Sequence, residues 1–404
     1  MLTVAAAEAA IRDALAVVDA GAIPVDEAPG RVLRQRVTAE RDQPPYDRVT
    51  MDGIALRHAA FAGGRREFRV AATLHAGDPP LALDADDACI EVMTGAVLPA
   101  GSDCVIPVER LERDGARVRV DAQAETAPGR FVHARASDHA RGALLLEPGR
   151  RLTPIDIALL ASAGLTRVEV SRRPSLWVVS TGNELVPAGR PIADHQVRMS
   201  NGPALVAMLN DSGLAAARHR HLPDEPAVLR EEIGELLEAS DALVLSGGVS
   251  MGQADFVPRV LDELGVERVF HRISQRPGKP MWFGRGPAGQ LVFALPGNPV
   301  SALVCCRRYV LPALAGAAAL PPGALPVATL ETDYRFEPAL TAFLPVATRV
   351  DGDGRLCARP LPTNTSGDFT ALAATSGFLE LPADLTEFAA GSAWPYFPWQ
   401  AARP

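Results

Sequence analysis

Between residues 176 and 315 the chain alternates short, nearly continuous apolar runs with longer stretches whose apolar positions recur every three or four residues. Runs of the first kind have the length of buried strands. Stretches of the second kind have the period of helices packed on one face. The pattern predicts strand 176–180 followed by helix 202–212, strand 215–221 by helix 226–239, and strand 242–246 by helix 254–264. Strands near 266–273, 281–284 and 291–295 then lead into helix 299–315. Alternation of this kind implies a mostly parallel, doubly wound α/β sheet.

The flanking segments follow other patterns. Residues 3–19 predict an amphipathic helix capped by Thr3 and stopped by Gly21, and residues 31–41 read as short and extended up to Pro44-Pro45. From about 43 to 139 come short β runs, among them 68–70, 88–93, 104–108 and 116–120, punctuated by turns such as Gly77-Asp78-Pro79-Pro80 and Asp114-Gly115. Residues 143–170 predict a return to helix, begun by Thr153-Pro154 and ended by Gly164, which would pack back on the N-terminal helix. After Pro321-Pro322-Gly323 strand patterns resume as a small barrel or sandwich. The expected organisation is a discontinuous N-terminal domain (1–42 and 140–170), a β-rich domain (43–139), the α/β domain (171–320) and a C-terminal β-barrel domain (324–404).

Composition narrows the function classes. A length of 404 residues calls for two to four domains, and 48% hydrophobic with 22% charged residues is a globular balance. A net charge of −8 argues against a general nucleic-acid binder, so any basic function must be local. Five cysteines, odd in number and without zinc-ligand spacing, predict reduced thiols and a cytoplasmic setting, with Cys305 and Cys306 buried in a helix. Glu8 and Asp13 inside the first helix pattern read against a signal peptide, and no uncharged run reaches membrane-spanning length.

Candidate chemistry gathers where predicted strands end. Ser246-Gly247-Gly248-Val249-Ser250 follows a strand directly, with Asp255 at the next helix start; this is either a tight turn or a loop whose backbone approaches a ligand. Pro296-Gly297-Asn298-Pro299-Val300-Ser301 predicts a helix start with Asn298 as cap, and its free N–H groups could hold an anion faced by Ser301. Arg276-Pro277-Gly278-Lys279-Pro280 sets two cations in one stiff loop, suited to an oxyanion. Glu184 and Asp224 lie just past two strands of the same sheet; with Asp255 they could ligate Mg²⁺, which favours carboxylates, water and substrate phosphate. In such sheets ligands bind at the carboxyl ends of strands. Thr50-Met51-Asp52-Gly53 and Met93-Thr94-Gly95 read alone as turns, and His219 and His221 as structural.

Together and in this order the segments resemble the MoeA family of molybdopterin molybdenumtransferases, which includes the E domain of gephyrin. They are Pro44-Pro45-Tyr46-Asp47 with Met51-Asp52-Gly53, Met93 to Gly101, Ser180-Thr181-Gly182-Asn183-Glu184-Leu185, Ser246 to Asp255, Pro277-Gly278-Lys279-Pro280 and Leu295 to Ser301. The resemblance implies a four-part homodimer whose crevice lies between the α/β domain of one subunit and the β-rich domain of the other. It implies Mg²⁺-dependent insertion of molybdate into adenylylated molybdopterin with release of AMP, and transient contact with the adenylyltransferase and apo-molybdoenzymes. It assigns Asp52, Asp138, Glu184, Asp224, Asp255 and Lys279 to catalysis, the metal falling to Glu184, Asp224 and Asp255. Substrate contacts would come from Thr94, Ser246, Gly247, Gly248, Ser250, Arg276, Pro296, Gly297, Asn298, Ser301 and Ser366. Arg276 stands where the family usually has Lys, Asn183 where it has Asp and Ile54 where it has Tyr. The segment Leu340–Pro345 lacks the arginines the family offers there. Two other readings keep the fold: a molybdopterin adenylyltransferase, or a pterin-binding scaffold without catalysis.

Overall fold

The computed structural model describes residues 1–248 and 256–400. The chain forms two compact units, one of Met1–Gln35, Pro148–Ile157 and Arg167–Pro404, the other of Arg36–Glu147 and Ala158–Thr166.

The larger unit is built on a six-stranded sheet. Its order is Ala216–Leu222, Ser175–Thr181, Ala242–Ser246, Leu291–Leu295, Trp282–Arg285, Glu267–His271. The first four strands run parallel, and Trp282–Arg285 is antiparallel to both its neighbours. Every residue of Ala242–Ser246 and Leu291–Leu295 is buried, as strands covered on both faces must be. On one face Val178, Val244 and Phe293 pack with Leu205 and Leu209 of helix Asn201–Asp211 and with Val300 and Ala302 of helix Pro299–Cys305. On the other, Val179, Leu243 and Leu245 pack with Leu229 and Ile233 of helix Pro226–Glu238 and Val257 and Leu261 of helix Val257–Glu263. The sheet is therefore doubly wound. The earliest strand of this sheet in the chain, Ser175–Thr181, is paired on both sides, so the connections reverse direction beside it.

Three predicted helices differ from those observed. The first spans Val4–Asp13, with Thr3 Oγ1 accepting the Ala6 N–H, rather than 3–19. Beyond it the Val18 N–H donates instead to Ala317 O at 2.8 Å, a tertiary bond that draws the backbone out of helix. Within 143–170 only Pro154–Ser162 is helical. Leu144–Leu146 pairs with Val37–Thr38 in the smaller unit, and Arg167–Ser171 pairs antiparallel with Ala20–Pro24 in the larger. The alternation Arg167-Val168-Glu169-Val170 is a strand period that helix expectations overrode. The helix predicted over 299–315 continues to Ala317 but passes through a π turn at Cys306–Val310. There the Leu311 N–H reaches back five residues to Cys306 O, and Pro312, next in line, has no N–H to offer. Pro299–Ala317 is the one helical stretch among the described residues long and apolar enough to cross a membrane, but 72% of its 18-residue apolar window is buried inside the fold.

The C-terminal part is a closed five-stranded barrel: Thr341–Val350, Leu356–Pro360, Val327–Leu330, Ala393–Pro398 and Gly377–Leu381, the last pairing back on the first. Gln275–Arg276 adds a short parallel bridge to Thr341-Ala342, fixing the cationic loop to the barrel wall. Arg308, almost wholly buried, pairs with Glu8 at 2.9 Å and Glu380 at 2.7 Å, joining the first helix, the π turn and the barrel.

The smaller unit holds a second six-stranded sheet, ordered Cys104–Pro107, Gly53–Leu56, Ala88–Val92, Glu67–Leu74, Arg117–Val120, Leu111–Asp114. Gly53 opens its strand where a Cβ would fall 2.0 Å from Ile106 O, so no other residue fits without moving the sheet.

Candidate functional site

At the sheet's switch point the ends of three strands open into a cavity of about 810 Å³. Ser180 and Thr181, Ser246 with Gly247 and Gly248, and Pro296 with Gly297 and Asn298 form its floor. Gly247 (φ +105) and Gly248 (φ +65) occupy left-handed backbone, and Cβ atoms there would lie 2.7 Å from Thr181 O and from Val257 Cγ2. This turn therefore demands two glycines. Thr181 Oγ1 lies beside them, buried and without a hydrogen-bond partner among the described residues. Asn201, at the start of its helix, ties two loops together by donating to Ser246 Oγ (2.9 Å) and Gly297 O (2.8 Å).

The cavity's charged side chains are the carboxylates Glu184 and Asp224 and the guanidinium of Arg198, which donates to Pro187 O (3.0 Å) and Arg190 O (2.7 Å). The Glu184 carboxylate folds back over Gly182 (φ +146), where a Cβ would sit 2.6 Å from Oε2. The Asp224 N–H donates to Asn183 Oδ1 at 3.1 Å, so the asparagine holds the turn that presents Asp224. His221 Nε2 lies 2.9 Å from Gly182 O, and His219 Nε2 lies 3.0 Å from Ser180 Oγ, so both imidazoles bond to the loop and strand beneath the site. Burial, helped by His221, holds the His219 pKa below its ordinary value.

A second basin of about 430 Å³ adjoins the first and shares Pro280, Pro296 and Asn298 with it. Arg276, Lys279, Ser301 and Ser366 line it, and no Asp or Glu does among the described residues. The cationic loop rests on a packed base. Gly278 (φ +93) would place a Cβ 2.4 Å from Cys305 Sγ and 2.6 Å from Gln275 Nε2. Gln275 is fully buried and accepts the Tyr309 hydroxyl proton. Burial pushes the Tyr334 hydroxyl's pKa up, against the opposing pull of Arg276. The barrel side of the basin contributes Tyr334, Phe336, Leu340, Ala342–Pro345 and Pro362–Ser366, none of them cationic.

One expectation is corrected here. Asn298 occupies the cap position of helix Pro299–Cys305, yet its side chain caps nothing; it donates to Ser366 Oγ at 2.7 Å. Ser366 O in turn accepts the Val300 N–H at 3.1 Å, so this helix end bonds to a loop of the barrel.

In the smaller unit Asp52 Oδ1 accepts both the N–H and the hydroxyl of Thr94, each at 2.7 Å. These bonds, the hydroxyl first, lower the Asp52 pKa below its ordinary value. Asp138 lies 3.0 Å from His133 Nε2, and Arg48 donates to Nδ1 of that ring at 3.1 Å, which leaves the ring proton on the Asp138 side. Both clusters hang on one strand, since Gly95 N–H bonds to Val49 O while Arg48 pairs with His133.

The structure thus gathers Glu184, Asp224, Ser246, Gly247, Gly248, Pro296, Gly297 and Asn298 in the larger basin, and Arg276, Lys279, Ser301 and Ser366 in the smaller. Ser250 and Asp255 lie outside the described residues. Thr181, Asn201 and Phe369 were missed as site residues, although Thr181 stands inside a recognised loop. Among the described residues no three His, Cys, Asp or Glu side chains cluster as a metal site. Two carboxylates in one cavity nonetheless suit Mg²⁺, which commonly takes one or two from protein and the rest from phosphate and water.

Comparison with known proteins follows this architecture closely. Residues 2–164 match the MoeA N-terminal region (domain I and II), 177–316 a probable molybdopterin binding domain, and 327–399 the MoeA C-terminal region (domain IV). A molybdopterin molybdenumtransferase of Synechocystis is 38% identical over 377 residues, covering 93% of this chain and 94% of that protein. The chain belongs to the MoeA family. Molybdopterin molybdenumtransferase 2 of Mycobacterium tuberculosis is 30% identical, covering 92% of this chain and 93% of its own. The crystal structure of a MoeA protein from Pyrococcus horikoshii superposes with a TM-score of 0.84 at 29% identity, covering 99% of this chain and 100% of that one. As a MoeA protein the chain is a transferase of molybdenum cofactor biosynthesis.

Proposed function

We propose that the chain inserts molybdate into adenylylated molybdopterin and releases AMP in a Mg²⁺-dependent reaction. The observation that carries this reading is the unequal charge of two connected basins: Glu184 and Asp224 line one together with Arg198, Arg276 and Lys279 line the other with no carboxylate among the described residues, and Asn298 lies on both. A substrate with a phosphate link and an incoming dianion needs both kinds of surroundings within one molecular length. Molybdate, a tetrahedral dianion, suits the carboxylate-free basin, where Lys279, Arg276 and the Ser301 hydroxyl can share its oxygens. The pyrophosphate portion suits the larger basin, where the Gly247-Gly248 turn exposes backbone close to the ligand space and Ser246 and Thr181 supply hydroxyls. Glu184 and Asp224, with Asp255 as a further candidate ligand, would hold Mg²⁺, which when bound would supply positive charge to offset that of the phosphate link. The protein's part is then positioning and fixed electrostatics.

We extend the reading to Asp52, Thr94 and Asp138 as polar groups serving the same reaction, and to a cytoplasmic homodimer; family resemblance supports both. Light scattering at micromolar concentration tests the dimer. The reaction is tested by AMP release from adenylylated molybdopterin with molybdate. Lys279→Ala is expected to raise the KM for molybdate at least tenfold, and Asp224→Ala to abolish the response to Mg²⁺. Unchanged rates in both variants would overturn the assignment of the basins.

A further inference from the structure

The larger basin contains an apolar strip that neither phosphate nor metal explains. Of the large hydrophobic side chains left exposed, Val197 (51%) and Phe369 (43%) both line this cavity, together with the less exposed Leu185 and Met199. Exposed apolar surface inside a cavity otherwise lined by hydroxyls, amides, glycines and the charged Glu184, Asp224 and Arg198 is the composition of a slot for a ring that carries polar substituents. Phe369 is also held in place. Its segment is anchored where Ser366 accepts from Asn298 Nδ2 and from the Val300 N–H. Beyond that anchor the Phe369 N–H donates to Gly367 O (3.0 Å), the Leu372 N–H donates to Phe369 O (3.0 Å), and Asp368 accepts from Thr370 Oγ1 (2.7 Å). The same strap lines both basins, with Pro362–Ser366 on the cationic one and Gly367 and Phe369 on the larger.

We infer that Phe369 stacks on the planar face of a fused nitrogen heterocycle of the substrate, with Val197 and Met199 completing the slot, so that the barrel's strap supplies ring recognition to the α/β domain's phosphate site. The inference rests on the proposed function for the identity of the substrate. Adenylylated molybdopterin carries two such rings, the purine and the pterin, and either would present a face to a phenyl ring. Stacking on an aromatic side chain is sequence-tolerant and contributes enough that truncation should weaken binding about tenfold or more.

The test uses the full chain with Phe369→Ala and Phe369→Trp. The alanine variant is expected to raise the KM for adenylylated molybdopterin about tenfold while the KM for molybdate and the thermal midpoint stay put, and tryptophan should restore binding. Calorimetric titration with AMP and, separately, with molybdopterin identifies the ring: the ligand whose Kd rises in Phe369→Ala is the one stacked. If the KM and both Kd values are unchanged in Phe369→Ala, the inference is overturned. Should wild-type protein bind either ring compound in a Phe369-dependent way yet release no AMP from the adenylylate, the stack stands and the transferase reaction falls.

Discussion

Gly278→Ala is the sharpest probe of how the cationic loop is held. The added methyl would meet Cys305 Sγ at 2.4 Å and Gln275 Nε2 at 2.6 Å, both on side chains with no exposed surface. Gln275 cannot simply swing aside, because its carbonyl oxygen holds the Tyr309 hydroxyl. Backbone at φ +93 adds a penalty of about 1 kcal/mol for any residue with a Cβ, and overpacking a dense core costs about 1–3 kcal/mol. The expected destabilisation is about 3 kcal/mol, read by urea unfolding followed through the fluorescence of Trp282, which is buried in the same unit. Cys305→Ala alone should cost about 1 kcal/mol through a small cavity. Combined with Gly278→Ala it removes the closer of the two clashing atoms, so a coupling energy of about 1–2 kcal/mol in favour of the pair is expected. Lys279, the next residue, moves with the loop, and the KM for molybdate should rise in Gly278→Ala and recover in the double variant. A loss below about 0.5 kcal/mol, or strict additivity of the two substitutions, would refute the packing argument.

Three further outcomes follow from side chains described above. Thr94→Val should move the Asp52 pKa up towards its ordinary value in a carboxylate NMR titration. The stability this pair contributes is complete above that ordinary value and disappears as pH falls through the lowered one; an unmoved titration would mean that Thr94 does not hold the carboxylate. Burial keeps the His219 pKa below 6.5, so the unfolded chain takes up more protons and stability falls as pH drops below that value; His219→Gln should flatten this part of a stability–pH curve. Arg308→Ala leaves the partly buried Glu380 without its cation and empties the buried guanidinium's space, while the half-exposed Glu8 can turn to water. The change should cost about 2 kcal/mol in chemical denaturation; a loss under 1 kcal/mol would show the clamp to be incidental.

The parts of the fold visible in the sequence were those with strong period and clear punctuation. The Ala242–Ser246 strand matches its predicted span residue for residue, and Leu291–Leu295 does likewise, because strands buried on both faces are uninterrupted apolar runs. Segments shaped by distant partners were harder to read. Val18 leaves its helix for Ala317, and Arg167–Ser171 becomes a strand because Ala20–Pro24 lies beside it. At the site, glycine turns and charged loops announced themselves by residue type, whereas Asn298 did not. Its cap signal was correct for the backbone and wrong for the side chain, since the competing partner, Ser366, stands 68 residues later. Phe369 was invisible for the same reason: a lone aromatic gains meaning only from the cavity it enters.

The engagement of the Val300 N–H by Ser366 bears on how this polypeptide can be dissected. An α/β fragment ending near residue 320 would lose its strap, and with it the carbonyl now shielding that amide and the hydroxyl now occupying the Asn298 amide group. Both donors would turn to solvent anions. Phosphate affinity measured on the excised module would then report a surface that the intact protein has already covered.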